Sequence, residues 1–487
     1  MGEKILVLDA GTTSTRAMVF RRDGRMESVA QADLTQHYPK PGWVEHDATE
    51  IWDKTLACMR QAVGEGAGDI AAIGITNQRE TVVAWDRQTG EPLARAIVWQ
   101  DRRTADFCAR LKEAGHEAEV QKRTGLLLDP YFSGTKMRWM LDNNDAVRAA
   151  SENGTLAFGT VESWLVFKLS GGRHVSDASN ASRTLLLALD GEQFDDRLCN
   201  LFGVPKPALP EVVDTHGQLA TCTAEWLGRD IPICGLVGDQ QSATIGQGCL
   251  SFGETKATYG TGAFVLTNKG HDISHSDNRL LGTVLHQSGG KRAYAIEGAC
   301  FVAGSLVQYL RDQLGLIGSA CETEELARSI EDSGEVVIVP ALAGLGAPHW
   351  KPDARGVISG LSFASGRAQI ARAALEAMAH QTHDLASAFA ADGAPWTSLR
   401  IDGGMSANDW MAQDLADILD LEVERPDFVE TTALGAAICA SVGAGLYETL
   451  EDAAKAMRGK TRSFTPSMSG DVREDRLARY ARALSVA

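Results

Sequence analysis

An acid closes an apolar run at Asp9, and Gly11, Thr12, Thr13, Ser14, Thr15 and Arg16 follow in "LDAGTTSTR". Hydroxyls, backbone N–H groups and a fixed cation gathered in one turn can hold phosphate oxygens. The carboxylate at the strand end can hold the metal that travels with them. The same residues in a plain hairpin would only satisfy their own backbone. Gly11 is expected to take a backbone angle closed to most residues. A second apolar run, Ile231 to Gly238, also leads into an acid, Asp239 in "VGDQQ". A second glycine–hydroxyl turn, "YGTG", sits inside "KATYGTGAFVLTN", residues 256–268. Donors for phosphates, a carboxylate for Mg2+ and an acid that can orient and deprotonate an alcohol are the parts phosphoryl transfer requires.

Two familiar phosphate-binding schemes do not fit. A Walker loop needs Gly six residues before its Lys, and Gly459-Lys460-Thr461 has Ala454 there. A dinucleotide fold needs three spaced glycines entering a helix. At Gly11 one glycine precedes a second strand-like run, Ala17-Met18-Val19-Phe20. A hairpin-type clamp with acids at strand ends remains.

The elements that would position these residues alternate between strand-like and helical patterns, which favours an α/β fold. Residues 71–76 and 96–99 read as strands, and "TVVAWDRQTGEPL" as a strand and turn. Residues 104–114 fit a helix capped by Thr104, with Phe107, Leu111 and Ala114 on one face. "RAYAIEGACFVAGSLVQYLRD" and "SLRIDGGMSANDWMAQDLADILDL" each read as strand, glycine turn and helix. In the second, Asn408 caps a helix whose Met411, Leu415, Ile418 and Leu419 share a face. A long helix is expected near 368–390. The repeated glycine–hydroxyl turn suggests two similar lobes, residues 1–249 and 250–487, facing one nucleotide.

Bulk properties narrow the partners. A net charge of −17 without a long basic run disfavours nucleic acid and anionic membranes. No apolar run approaches the ~18 residues of a membrane helix. Nine scattered cysteines without a Cys-x-x-Cys pair suggest reduced thiols and a cytoplasmic location. Asn153-Gly-Thr and Asn180-Ala-Ser are read as chance matches to a glycosylation pattern.

Seven stretches in order, "LDAGTTSTR", "GITNQRET", "AIVWQDRRT", "DPYFSGTK", "GDQQSA", "TYGTGAF" and "IDGGMSAND", resemble the FGGY carbohydrate kinase family, and within it the kinases acting on glycerol. The resemblance spans roughly residues 4–460. It implies two ribonuclease-H-like domains of the actin and hexokinase type with ATP in the cleft between them. The implied reaction converts ATP and glycerol to ADP and sn-glycerol 3-phosphate with Mg2+, in a homodimer or homotetramer. By the same resemblance Asp239 is the catalytic base, and Asp9 and Asp239 attend the metal. Arg79, Glu80, Trp99, Tyr131, Asp239, Gln240 and Phe264 form the glycerol site. Thr12, Thr13, Ser14, Arg16 and Thr261 face the phosphates, and Gly304, Gln308, Gly404 and Asn408 the nucleoside.

The pattern departs from the family in places. Ala10 stands where many members carry Gln. "CTAEWLGRDIP", residues 222–232, lacks the glycine-rich basic loop with which some members bind fructose 1,6-bisphosphate, and Glu225 replaces a phosphorylated histidine. His349 stands where Tyr is usual, and is read as a structural substitution.

Overall fold

Alternate side chains of a strand point to opposite faces, and the run Ile5-Leu6-Val7-Leu8 is buried on both. The computed structural model describes residues 3–273, 275–351, 353–428 and 430–487. Its first sheet contains β1 (Lys4–Ala10), β2 (Ser14–Phe20), β3 (Met26–Asp33), β4 (Ile70–Asn77), β5 (His216–Cys222) and β6 (Ile231–Gly238), in the order β5-β6-β4-β1-β2-β3. The second contains β7 (Glu254–Tyr259), β8 (Ala263–Gly270), β9 (Leu281–Ser288), β10 (Lys291–Cys300), β11 (Ser398–Asp402), β12 (Val423–Pro426) and β13 (Thr461–Phe464), in the order β9-β10-β8-β7-β11-β12-β13.

The two sheets share one plan. In the first, β1, β2 and β3 are an antiparallel meander, and β4 and β6 continue the sheet parallel to β1. In the second, β7, β8 and β10 are the antiparallel trio, with β9 added outside β10, and β11 and β12 run parallel to β7. The duplication expected from the two hydroxyl turns is therefore present in the strand order.

The helices that matter to the site are α1 (Ala48–Val63), α2 (Asp239–Gly246), α3 (Gly304–Asp312), α4 (Arg367–Ala391), α5 (Asp409–Leu419) and α6 (Thr431–Gly443). Leu6, Leu8, Ala17 and Val19 pack on α1 and on the helix Val161–Ser170. Ile5, Val7, Met18, Phe20 and Ala72 pack on α6 and on the helix Leu450–Met457. Helix α6 therefore follows the second sheet's β12 in the chain but completes the first lobe's core. Its approach is close: a Cβ on Gly74 would lie 2.5 Å from the Ala436 carbonyl oxygen, and one on Gly435 would lie 1.8 Å from that of Ser242.

Local expectations meet mixed outcomes. Helix α4 matches the long helix expected, and Asn408 caps α5 by accepting the Met411 N–H at 2.9 Å. The helix expected over 104–114 spans Ala105–Glu113. Thr104 does not cap it, because its hydroxyl is taken by Thr135 at 2.8 Å, and Ala114 is exposed beyond its end. The strand expected over 96–99 is reduced to Ala96–Ile97, paired with Glu45–His46 and bridged at Ile97 to Val82. Asn180 is buried, bonded to Asn77 and Asp177.

Candidate active site

The carboxyl ends of β1, β4, β6, β7 and β11 carry the polar residues of a cleft between the lobes. Asp9 stands opposite Arg16 in the β1–β2 register, and Arg16 donates to Asp9 Oδ2 and, at 2.6 Å, to Glu430 Oε2. Burial pushes the Asp9 carboxyl up, and Arg16 opposes it. The turn is a tight connection between antiparallel strands, as expected. Gly11 donates to the Ser14 carbonyl at 3.0 Å and keeps a negative φ, contrary to the expectation. What it supplies is room, since a Cβ there would lie 3.2 Å from the Ser14 oxygen. Thr13 is exposed, and Thr12 and Ser14 are partly so. The Thr12 hydroxyl accepts from Trp99 Nε1 at 2.9 Å, which ties the first turn to the aromatic residues near Tyr131. Thr15 points the other way, to Thr55 on α1.

Asp239 opens α2 directly after β6, because Gly238 is still extended and the chain turns into a helix at the next residue. A Cβ on Gly238 would lie 2.9 Å from the Arg79 stem, so glycine lets Arg79 pass beneath the strand end. Asp239 Oδ1 accepts the Gln240 N–H at 2.7 Å and lies 3.2 Å from Arg79 Nε. The side chain is hemmed in on the cleft floor yet 31% open to the cleft. Burial raises its carboxyl to about 6, Arg79 pulling it down and Glu80 adding to the rise.

Beneath Asp239 lies a buried charge cluster. Arg79 donates to both oxygens of Glu297 at 2.6 and 3.2 Å. Arg183 donates to Glu80 at 2.6 Å and to Glu297 at 3.2 Å. Arg79, Arg183 and Glu80 belong to the first lobe, whereas Glu297 lies on β10 of the second. Burial alone would raise Glu297, but Arg183 and Arg79 outweigh it and hold it down at about 2. Glu80 adopts φ 61, an unusual angle for a non-glycine residue. Its carbonyl accepts from Ser133 at 3.1 Å and Lys136 at 3.2 Å, which holds the conformation. Burial lowers Lys136 to about 7, against the pull of Glu80. Tyr131 covers the cluster, its hydroxyl 3.4 Å from Arg79 Nη2 and its ring 5.7 Å from that of Trp99.

The second lobe presents its own turn. Thr261 is exposed, and its carbonyl accepts from Ala303 and Ser305 at the start of α3. Gly304 is needed for proximity: a Cβ there would lie 2.6 Å from the Gly260 oxygen. Gln308 is exposed on α3, and Gly404 is exposed beside Gly403, whose φ is 86. Asn408 is occupied by its cap and by Thr323. Phe264 is half-buried on β8 opposite Thr258 and Ala299, and makes no ring contact with Trp99 or Tyr131 among the described residues.

Arg79, Glu80, Tyr131, Asp239 and Gln240 thus gather at one place, with Trp99 linking them to Thr12. Sequence reasoning missed Arg183, Glu297, Lys136, Lys256, Asp402 and Glu430. A Glu inside the apolar strand "YAIEGA" and an Arg before "TLLLAL" were the available signals, since a charge in a buried run needs a partner. His349 Nε2–H donates to Asp384 Oδ2 at 2.8 Å.

The sequence matches the models for the N-terminal and C-terminal domains of the FGGY family of carbohydrate kinases over residues 4–246 and 255–444. The chain belongs to that family. It is 53% identical to a protein named glycerol kinase from Methylobacterium nodulans, over 99% of this chain and 98% of the relative. It is 52% identical to another so named from Dechloromonas aromatica, over 99% and 96%. The crystal structure of Plasmodium falciparum glycerol kinase with ADP superposes at a TM-score of 0.95 with 33% identity, covering 100% of this chain and 99% of that one. The xylulose kinase from Rhodospirillum rubrum, 23% identical, shares the fold at a TM-score of 0.88 over 99% and 98%.

Proposed function

We propose that this kinase transfers the γ-phosphoryl group of ATP to a terminal hydroxyl of glycerol, giving ADP and sn-glycerol 3-phosphate, with Asp239 as general base. The observation that carries the reading is the Asp239 carboxylate, partly open to the cleft and poised near neutrality beside Arg79. Full-length relatives named glycerol kinase support the acceptor. The ADP in the similar Plasmodium structure supports the nucleotide.

In this mechanism Arg79, Glu80, Tyr131 and Gln240 supply hydrogen-bond partners for the acceptor's hydroxyls, which must be satisfied once buried. Trp99 and Phe264 pack on its carbon chain. Asp239 accepts the proton of the attacking hydroxyl as it moves in line on the γ-phosphorus. Thr12, Thr13, Ser14, Arg16 and Thr261 hold the phosphates, and Gly304, Gln308, Gly404 and Asn408 border the nucleoside. Closing the lobes excludes water, which would otherwise compete as acceptor.

Mg2+ binds through one or two carboxylates plus substrate phosphates. Asp9 and Asp239 fit that requirement, since their hydrogen bonds use Oδ2 of the first and Oδ1 of the second. The ion would neutralise charge on the transferring phosphoryl group. The nine unpaired cysteines support a cytoplasmic setting.

The test is ADP release with ATP and Mg2+ against glycerol, dihydroxyacetone, erythritol, ribulose, xylulose and no acceptor. Glycerol should be strongly preferred, and Asp239→Asn should lower kcat about 10²- to 10⁴-fold in a folded protein. Near-normal turnover by the variant removes the base assignment, and preference for a longer polyol removes the glycerol assignment.

A further inference from the structure

Lys256 lies on β7 of the second lobe with none of its surface exposed, and no role in the reaction described above uses it. Its ammonium donates to Gln240 Oε1 across the cleft at 2.7 Å and to Thr258 Oγ1 at 2.8 Å. The Thr258 hydroxyl in turn donates to Asp402 Oδ1. Asp402 Oδ2 in turn accepts from Thr431 at 2.6 Å and Gln247 at 3.0 Å. Lys256 and Thr258 both donate outward, as an ammonium with no acceptor capacity requires, and Asp402 is the common acceptor at which the chain ends.

The chain settles an orientation. A carboxamide can present either its oxygen or its nitrogen to a neighbour, and the two ends have nearly the same shape. An ammonium admits only the oxygen. Gln240 Nε2 is thereby turned away from Lys256, and no protein acceptor engages it among the described residues. Gln240 is half-buried beside Asp239, at the place where the acceptor is proposed to sit.

We propose that Lys256 is a positioning residue for acceptor selectivity: it fixes Gln240 so that Nε2–H meets a second hydroxyl of the substrate, and a substrate lacking that hydroxyl leaves the donor unpaired. This rests on the glycerol reading. The bond also spans the lobes, so the donor is set only when β7 and α2 stand in the relation seen here.

Steady-state kinetics with ATP and three acceptors, glycerol, 1,2-propanediol and 1,3-propanediol, test it. Wild-type protein should prefer glycerol to both diols. Lys256→Met should lower kcat/KM for glycerol ~10- to 100-fold, mainly through KM, as loss of one buried hydrogen bond predicts. For the diol that already lacks the hydroxyl held by Gln240, the loss should be under ~3-fold. Gln240→Leu should give the same pattern, and the double variant should be no worse than either single one. A purely structural lysine would instead lower all three acceptors alike, along with Tm, and that result overturns the proposal. Should Lys256→Met fail to fold, Gln240→Glu serves, because it keeps an oxygen for Lys256 and removes the donor. Loss of glycerol preference in that variant supports the proposal, and retention overturns it. Wild-type protein indifferent to the three acceptors would remove the glycerol reading itself. A preference that survives Lys256→Met removes only the role of Lys256.

Discussion

Glu297→Gln perturbs one oxygen pair that holds two buried arginines across the cleft. Glu297 falls from 4.5 to about 2 on folding, because Arg183 and Arg79 outweigh the cost of burying it. A drop of ~2.5 pKa units corresponds to about 3 kcal/mol favouring the ionised form, and the side chain is only 1% exposed, so solvent screens little of it. Removing the charge should therefore cost about 3 kcal/mol, in line with breaking a buried pair from one side. For a chain of this length the unfolding entropy is roughly 1 kcal/mol/K, so Tm should fall by about 3 °C. The sign of the pH dependence follows from the depressed carboxyl. The stabilisation is complete above the unfolded value of 4.5 and is lost as pH falls towards 2. Differential scanning calorimetry of both proteins from pH 8 down to the acid limit of the fold checks this. The gap in Tm should be constant from pH 8 to 5 and narrow below 4.5. A gap under 1 °C at neutral pH, or one that widens in acid, refutes the assignment of Glu297 as the anion that neutralises both arginines. The same variant should lower kcat/KM, since Arg79 also stands 3.2 Å from Asp239.

Two further outcomes follow from geometry already described. With the carboxyl of Asp239 raised to about 6, the base is lost as it protonates, so kcat/KM for glycerol should fall on the acid side with a midpoint near pH 6. A pH–rate profile flat down to pH 5 would contradict it. Gly435→Ala places a methyl 1.8 Å from the Ser242 oxygen, where α6 crosses α2. The helices must separate at a cost of about 3 kcal/mol or more, read as a lower Tm together with reduced kcat, because α2 begins at Asp239.

How far the sequence revealed the site depends on how far apart its partners lie along the chain. The turn after β1 and the acid at the end of β6 were legible because a strand ending on a charge is a local pattern. Asn408 was legible as a cap for the same reason. The duplicated strand order was legible only as two similar turns. Glu297 was missed because its partner Arg79 lies 218 residues away, and Glu430 because Arg16 lies 414 residues away. A charge in a strand looks like a solvated one until folding brings its counter-ion to it. Lys256 shows the limit most clearly, since its meaning lies in which end of one amide it faces. Helix α6 has nearly every residue apolar or small, but nothing in that run says which sheet it covers. Gly11 erred in a different way: the residue type was informative, but the need was for space and not for an angle.

The return of α6 to the first sheet also bears on how the chain is made. Ile5, Val7, Met18 and Phe20 leave the ribosome early, but the face they form is closed by residues 431–457. Synthesis at ~5–20 residues per second separates the end of α2 from the start of α6 by roughly 10–40 s. For that interval the first sheet has one face covered by α1 and the other bare. A fragment ending before residue 431 therefore lacks the two helices that close this apolar face, and is not half an enzyme.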